Sequence, residues 1–259
     1  VATALLGAAA QPDARWLARP PQPQPHAAHR TPRLNLVLVA SPPDHGPGQH
    51  DYPAWQKAWR GWLARLPEVT VTEAWEWPSA EQWAGADAML FYNWNHDWSA
   101  PRLRQLDDFL ARGGGVLVFH SATIADTDPE QLAQRIGLAA QPGRTGYRHM
   151  PFELTLVAPA DHPIRRGLPE RLRFLDEPYW PLIGNPDRVE VLATAEVDGA
   201  ARPLVWTFQN GKGRVFASLL GHYTWTLDDP LFRLLALRGL AWALDEPAAR
   251  FERLLLSPP

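Results

Sequence analysis

Apolar and polar positions follow two different periods along this chain, and the two alternate. Leu34–Ala40 reads LNLVLVA, a nearly unbroken apolar run of strand length, as a strand buried on both faces requires. Tyr52, Trp55, Trp59, Trp62, Leu63 and Leu66 then recur at helical spacing and predict an amphipathic helix. Short apolar runs at 69–74, 88–92 and 116–119 predict three more strands. Between the last two, residues 101–112 carry Leu103, Leu106, Phe109 and Leu110 on one side and stop at Gly113-Gly114-Gly115, a helix with a glycine terminator.

The second half is richer in strand patterns, at 152–157, 189–195, 203–208 and 215–219. Gln209-Asn210-Gly211-Lys212-Gly213 supplies a hairpin turn between the last two. A closing helix over 230–244 presents Leu231, Leu234, Leu235, Leu237, Leu240 and Trp242. Strand–helix alternation followed by strands predicts an α/β fold: a mostly parallel sheet with helices on both faces and a strand-rich second half. No internal repeat and no second domain stand out. Residues 34–247 are read as the folded domain and 248–259 as a C-terminal tail.

At 259 residues, 46% of them hydrophobic and 20% charged, the chain can bury a sizeable core rather than stay disordered. Its 25 Lys+Arg against 28 Asp+Glu leave a net charge of −3 without a basic run, which argues against a nucleic-acid partner. Cysteine is absent, which excludes disulfides, thiolate metal sites and a cysteine nucleophile. The opening VATALLGAAA is apolar but far too short for a transmembrane segment, and it resembles the end of a secretory signal with its small-residue cleavage site. On that reading residues 1–33 are a signal remnant and the protein is periplasmic or secreted. The alternative is a disordered linker, centred on PPQPQP, in a cytoplasmic protein.

In an open α/β sheet, ligands bind beyond the carboxyl ends of the strands. The first strand runs into Asp44, His45, His50 and Asp51; the third runs into Trp94, Asn95, His96 and Asp97. The fourth ends at His120-Ser121 and the last at Gly221-His222-Tyr223. Five of the nine histidines therefore fall at one crest, where imidazoles suit proton transfer or metal ligation. Singly, each reads more simply as a loop histidine bonded to a backbone carbonyl; their convergence is what points to a site. Tyr147-Arg148-His149 follows the glycine-rich QPGRTG, and Asp176-Glu177-Pro178-Tyr179-Trp180 follows a short apolar run. The adjacent acids could ligate a metal, act as a base or orient a histidine, or form an ordinary acidic turn. His162, within DHPI, reads as part of a structural turn.

Thirteen tryptophans are many for one domain. Trp55, Trp59, Trp62 and Trp242 sit on helical stripes and belong to the core. Trp94, Trp98, Trp180 and Trp225 fall in crest loops, where flat aromatic faces can stack on sugar rings; partial burial under the loops is the alternative. The resulting assignment makes His120, His222, Glu177 and Asp176 catalytic. It makes Trp94, His96, Tyr147, Tyr179, Trp180 and Trp225 substrate-binding. His45, His50, Asp51 and His149 are candidate ligands of one divalent ion such as zinc, which takes three or four nitrogen and oxygen donors, although no HxxxH or HxH spacing supports it.

HGPGQHDYPAW, GGGVLVFHSA, YRH before a strand, DHPIRRGL, DEPYW and GKGRVFASLLGHYTW, followed by a helix ending in AWAL, together resemble the ThuA-like (trehalose utilisation) family. The likeness spans residues 34–244 in the expected order. It implies a flavodoxin-like fold of the class I glutamine amidotransferase-like superfamily and a role in handling disaccharides or their 3-keto derivatives. Gln49 stands where related loops often carry an acid, which removes a carboxylate at that point. True glutamine amidotransferases need a cysteine at the turn after a central strand; His120-Ser121 occupies that place, so glutaminase activity is not expected.

Two function classes stay open. One is an enzyme acting on a small-molecule carbohydrate, with histidines and carboxylates as acid–base groups or metal ligands. The other is a non-catalytic carbohydrate-binding domain whose histidines only shape a pocket. A serine hydrolase built on Ser121 and His222 is disfavoured, because FHSAT lacks the Gly-x-Ser-x-Gly elbow. Assembly as a homo-oligomer is compatible with the sequence.

Overall fold

The first apolar run forms β1 (Leu34–Ala40), buried at every position except Asn35. The computed structural model describes residues 32–95 and 97–256. The readings placed on residues 1–31, on 257–259 and on His96 lie outside the described residues. Helix α1 (Tyr52–Leu63) starts where Asp51 accepts a hydrogen bond from the Ala54 N–H at 3.1 Å. Its Trp55, Trp59 and Trp62 are buried, as their spacing predicted. Buried Gln56 donates to the carbonyls of Leu38 (2.8 Å) and Ala74 (2.9 Å), joining α1 to both β1 and β2 (Val69–Trp75).

Helix α2 (Ala80–Gly85) opens with a reciprocal cap between Ser79 and Gln82 and buries only Trp83. Then come β3 (Ala88–Phe91), α3 (Ala100–Ala111), β4 (Gly115–Phe119), α4 (Pro129–Ile136) and the short β5 (Leu138–Ala139) and β6 (Gly146–Tyr147). The second half runs through β7 (Met150–Leu156), β8 (Arg171–Asp176), β9 (Tyr179–Trp180), β10 (Ile183–Gly184), β11 (Glu190–Val197), β12 (Ala200–Asn210) and β13 (Gly213–Ser218). It closes with α5 (Thr224–Asp228), α6 (Pro230–Ala243) and α7 (Ala249–Glu252).

One nine-stranded sheet carries the fold, in the order β2-β1-β3-β4-β13-β12-β11-β7-β8. The first five are mutually parallel, the 2-1-3-4-5 arrangement of flavodoxin-like sheets. From β13 onward every pairing is antiparallel, so the sheet is mixed, with a parallel core and an antiparallel second half. Phe119 packs against Trp55 and Trp59 of α1 and Phe232 of α6. Phe91, which pairs with Val118 and so points to the opposite face, packs against Trp83 of α2. Helices therefore cover both faces.

Strand directions bring distant segments to one edge. β4 and β13 are parallel, so His120 and the segment after Ser218 leave the sheet together. Counting antiparallel pairings outward, β8 ends at that edge and β7 begins there. Glu177 follows β8 directly, and His149 immediately precedes β7.

Residues 248–256, read from the sequence as part of a C-terminal tail, are ordered in helical turns. They form α7 and a 3-10 turn that bury Phe251 and Leu254, and Trp62 donates its indole N–H to the Leu254 carbonyl at 3.1 Å. Burial of Phe251 and Leu254 gives this segment reason to dock.

Candidate metal centre

The turn after β4 is sharp. His120 has a left-handed backbone, φ 50°, and so does His50, φ 45°. Left-handed conformations cost a non-glycine residue about 1 kcal/mol or more and persist where the surroundings fix them. Gly221 faces His120 with φ 135°, and a Cβ there would lie 3.3 Å from the His120 Cβ, so a side chain would crowd the turn. The loop bearing His50 is tied across to the last strand's exit: Gln49 bridges Tyr223, and the His50 N–H donates to the His222 carbonyl at 3.0 Å.

Asp176 is wholly buried and spends its carboxylate on backbone. Oδ1 accepts from Glu177 N (2.8 Å) and His222 N (3.0 Å), and Oδ2 accepts from Gly221 N (3.1 Å). It therefore fixes the positions of Glu177 and His222 while its own oxygens are turned away from the cavity chemistry expected of it. Tyr92, also buried, donates its hydroxyl to the Gly221 carbonyl at 2.6 Å.

His50, His120, His222 and Glu177 converge as a buried group whose donor atoms all lie within 4.8 Å of one another. His120 Nδ1 lies 2.7 Å from the Leu219 carbonyl, which can only accept, so Nδ1 carries the hydrogen. His50 Nδ1 lies 2.8 Å from Asp44 Oδ1, and the same logic holds. With both rings neutral, their Nε2 lone pairs would face each other across 2.9 Å. A shared proton or a cation is needed to reconcile them. Glu177 Oε2 stands 3.3 Å from His120 Nε2 and 3.2 Å from His222 Nδ1. Despite that proximity, neither ring nitrogen of buried His222 makes a well-formed hydrogen bond.

The charges respond accordingly. Burial lowers the pKa of His50 to about 3, against the opposing pull of Asp44. Burial also works to lower His120, but the Glu177 hydrogen bond and charge outweigh it, and the net shift is upward. Burial and His120 hold His222 below the usual value, although Glu177 pulls the other way. Burial would raise Glu177, yet the imidazoles of His120 and His222, 3.3 and 3.2 Å from its Oε2, carry it well below the ordinary carboxylate range.

Beside this group opens a cavity of about 390 Å³, walled in part by His45, His50, His149, Glu177, Trp94 and Tyr147. Tyr179 lines it too and places its hydroxyl 2.9 Å from His120 Nε2. No Lys or Arg lies among its described lining residues.

The structure sorts the sequence candidates differently from the sequence. Of the four residues expected to ligate, only His50 belongs to the buried group; the others in that group are His120, His222 and Glu177, expected as catalytic. Asp51 is spent on capping α1. His45 sits at the rim, 3.0 Å from Asp44. His149 stays outside the group and reaches the outer oxygen of Glu177 at 3.1 Å through Nε2. Among the expected binding residues, Trp94, Tyr147 and Tyr179 line the cavity, whereas Trp180 is absent from its wall and lies beneath the Arg148 guanidinium. Trp225 stands to one side, stacked on Tyr223. Trp98 is core rather than crest, its indole donating to the Ile124 carbonyl at 3.0 Å. Sequence reasoning left out Asp44 and Tyr52 as site residues. Asp44 adjoins His45, a signal that could have found it; Tyr52 was read as helix core, but its hydroxyl lies 2.8 Å from His50 Nδ1 and 2.9 Å from Ser121 Oγ.

The molecule is thus a flavodoxin-like α/β protein with a buried three-histidine, one-carboxylate centre at the carboxyl edge of its parallel strands. The profile of the ThuA family, described as trehalose utilisation, matches residues 37–243, and the chain belongs to that family. The flavodoxin-like parallel core expected from this membership is the one observed, with His120 at the turn after β4. A thuA-like protein of Parabacteroides merdae aligns with TM-score 0.67 at 20% identity, over 82% of this chain and 90% of that one. A thuA-like protein of Bacteroides uniformis aligns with TM-score 0.65 at 15% identity, over 88% and 99%. A β-galactosidase of Rahnella sp. R3 aligns with TM-score 0.56 at 15% identity over 81% of this chain, which matches only 31% of the enzyme. At these identities the likeness is one of fold. No curated protein matches the sequence. No described helix is long and apolar enough to cross a membrane.

Proposed function

We propose that this protein is an enzyme of disaccharide or keto-sugar metabolism, with His50, His120, His222 and Glu177 as ligands of one divalent ion such as zinc. The observation that carries the reading is the meeting of His50 and His120 through their Nε2 atoms at 2.9 Å, each ring oriented by an acceptor on its other nitrogen. Outer acceptors of this kind orient metal-bound imidazoles. Three of the donor separations, 2.9, 3.3 and 3.2 Å, are short enough for one ion to touch both members of each pair. Buried His222, without a well-formed hydrogen bond, gains a partner in such an arrangement.

The cavity suits a neutral, hydroxylated ligand. It lacks a lysine or arginine among its described lining residues, and it sets exposed Trp94 and Tyr147 at its mouth as stacking surfaces. A bound divalent ion would supply Lewis acidity toward a sugar carbonyl or hydroxyl. His149, which lies on the cavity wall and reaches Glu177, would then hold or pass a proton at the same place.

Metal analysis of the purified protein, paired with a screen of trehalose and 3-keto-trehalose, tests this. One ion per chain and turnover lost on chelation are expected. His120→Ala should lose both ion and turnover while keeping sugar affinity. A metal-free protein whose sugar turnover ignores chelators would sink the metal reading. Sugar binding without turnover in the loaded protein would favour a carbohydrate-binding domain instead.

A further inference from the structure

Trp225 is half exposed, at 51%, yet it is not loose. Its ring lies parallel to Tyr223, with centroids 4.1 Å apart and planes at 14°, and its indole N–H donates to the Leu175 carbonyl at 3.0 Å. Tyr223 is held in turn, its hydroxyl 3.0 Å from His149 Nδ1. The other nitrogen of His149 contacts Glu177. A fixed aromatic face is therefore presented to solvent in direct continuity with the centre. Core packing does not require it: the same short helix buries Thr226 and Leu227 instead.

We propose that Trp225 forms a second sugar subsite, taking one ring of a neutral disaccharide or glycoside while the other ring occupies the cavity beside Glu177. This rests on the carbohydrate reading above and extends it. His149 stands between the two positions. Its ring lines the cavity on one side and meets Tyr223 on the other, with centroids 5.9 Å apart. Tyr223 and Trp225 are not part of the cavity wall, so a single ring held there does not touch them. A two-ring ligand extending past His149 would next meet Tyr223 and the indole stacked on it, and that indole needs no rearrangement because its edge and one face are already engaged. Stacking on a pre-oriented ring avoids the ordering cost that a mobile side chain carries on binding.

The test is calorimetric titration of the zinc-loaded full chain with methyl α-D-glucoside and with trehalose, on wild type, Trp225→Ala and Trp225→Phe. Trehalose is expected to bind wild type about tenfold tighter than the one-ring glycoside, a gain of the order that aromatic contacts supply. Trp225→Ala should erase that gain without changing the glycoside's affinity, and Trp225→Phe should recover most of it. An unchanged trehalose preference in Trp225→Ala, or none in wild type, overturns the subsite and leaves the sugar reading standing. Binding of neither sugar to wild type removes the carbohydrate reading, and the subsite with it.

Discussion

His50 Nε2 and His120 Nε2 face each other at 2.9 Å, although 70 residues separate them in the chain. Both backbones are left-handed, and both rings are oriented from behind, by Asp44 and by the Leu219 carbonyl. The fold holds these two nitrogens together from both sides.

Asp44 acts through His50, so its removal should weaken metal binding without abolishing it. Outer-sphere carboxylates of this kind are worth about 10–100-fold in affinity. Asp44→Asn should fall in that range in a competition titration for zinc, while His50→Ala should lose more. Equal losses in the two variants would make Asp44 a ligand in its own right.

The stability of the metal-stripped protein should peak near pH 6.5, the ordinary histidine value. Below it, His50, held at about 3, and His222, also lowered, stay neutral in the fold while the unfolded chain takes up protons, so stability drops as pH falls. Glu177 and Asp44 are both depressed, so their contributions are present above the ordinary carboxylate range and are lost further into acid. His120 is raised, so its contribution is complete below 6.5 and fades as pH rises through its folded value. Urea midpoints measured against pH should show this maximum, and His50→Gln should flatten the acid limb. A midpoint that climbs steadily from pH 5 to 9 would contradict the assignment.

Ser121 should be chemically silent. Its buried hydroxyl is engaged by Tyr52 at 2.9 Å and by the Asn93 carbonyl at 3.2 Å. A fluorophosphonate probe should leave it unlabelled, and Ser121→Ala should retain most activity. Labelling at Ser121 would reopen the hydrolase reading.

Gly221→Ala should damage the site more than the fold. The added methyl meets His120 Cβ at 3.3 Å on a backbone with φ 135°, where an L side chain is strained. A stability loss of ~1–3 kcal/mol is expected, and zinc affinity should fall with it. Calorimetric unfolding with metal titration checks both, and unaltered zinc binding would mean the turn tolerates the shift.

The parallel strands were legible because each is a short run apolar on both faces, ended by a polar crest. α2 and α4 escaped because six and eight residues offer too few turns for a period to stand out. His120 and His222 were legible as residues closing apolar runs. The division between ligand and support was not, because it depends on the partner of each second nitrogen. Nothing in DEPYW says that Asp176 turns to backbone N–H groups while its neighbour turns to the histidines. Likewise Asp51 has the spacing of both a ligand and a helix cap, and only the start of α1 decides between them.

Glu177 reaches His120 from the far rim of the sheet, where β8 lies five places from β4. In a flat sheet that separation is about 24 Å at ~4.8 Å per strand, more than their two side chains can span. The antiparallel half must therefore coil back over the crest. β11, midway along the route, carries the register irregularities that permit such bending, between Val191 and Thr194. A strand with no residue in the centre thus lies on the path that brings the carboxylate to the imidazoles. A one-residue deletion in that bulge is expected to draw Glu177 away from the three histidines, which a loss of zinc affinity in the folded variant would register.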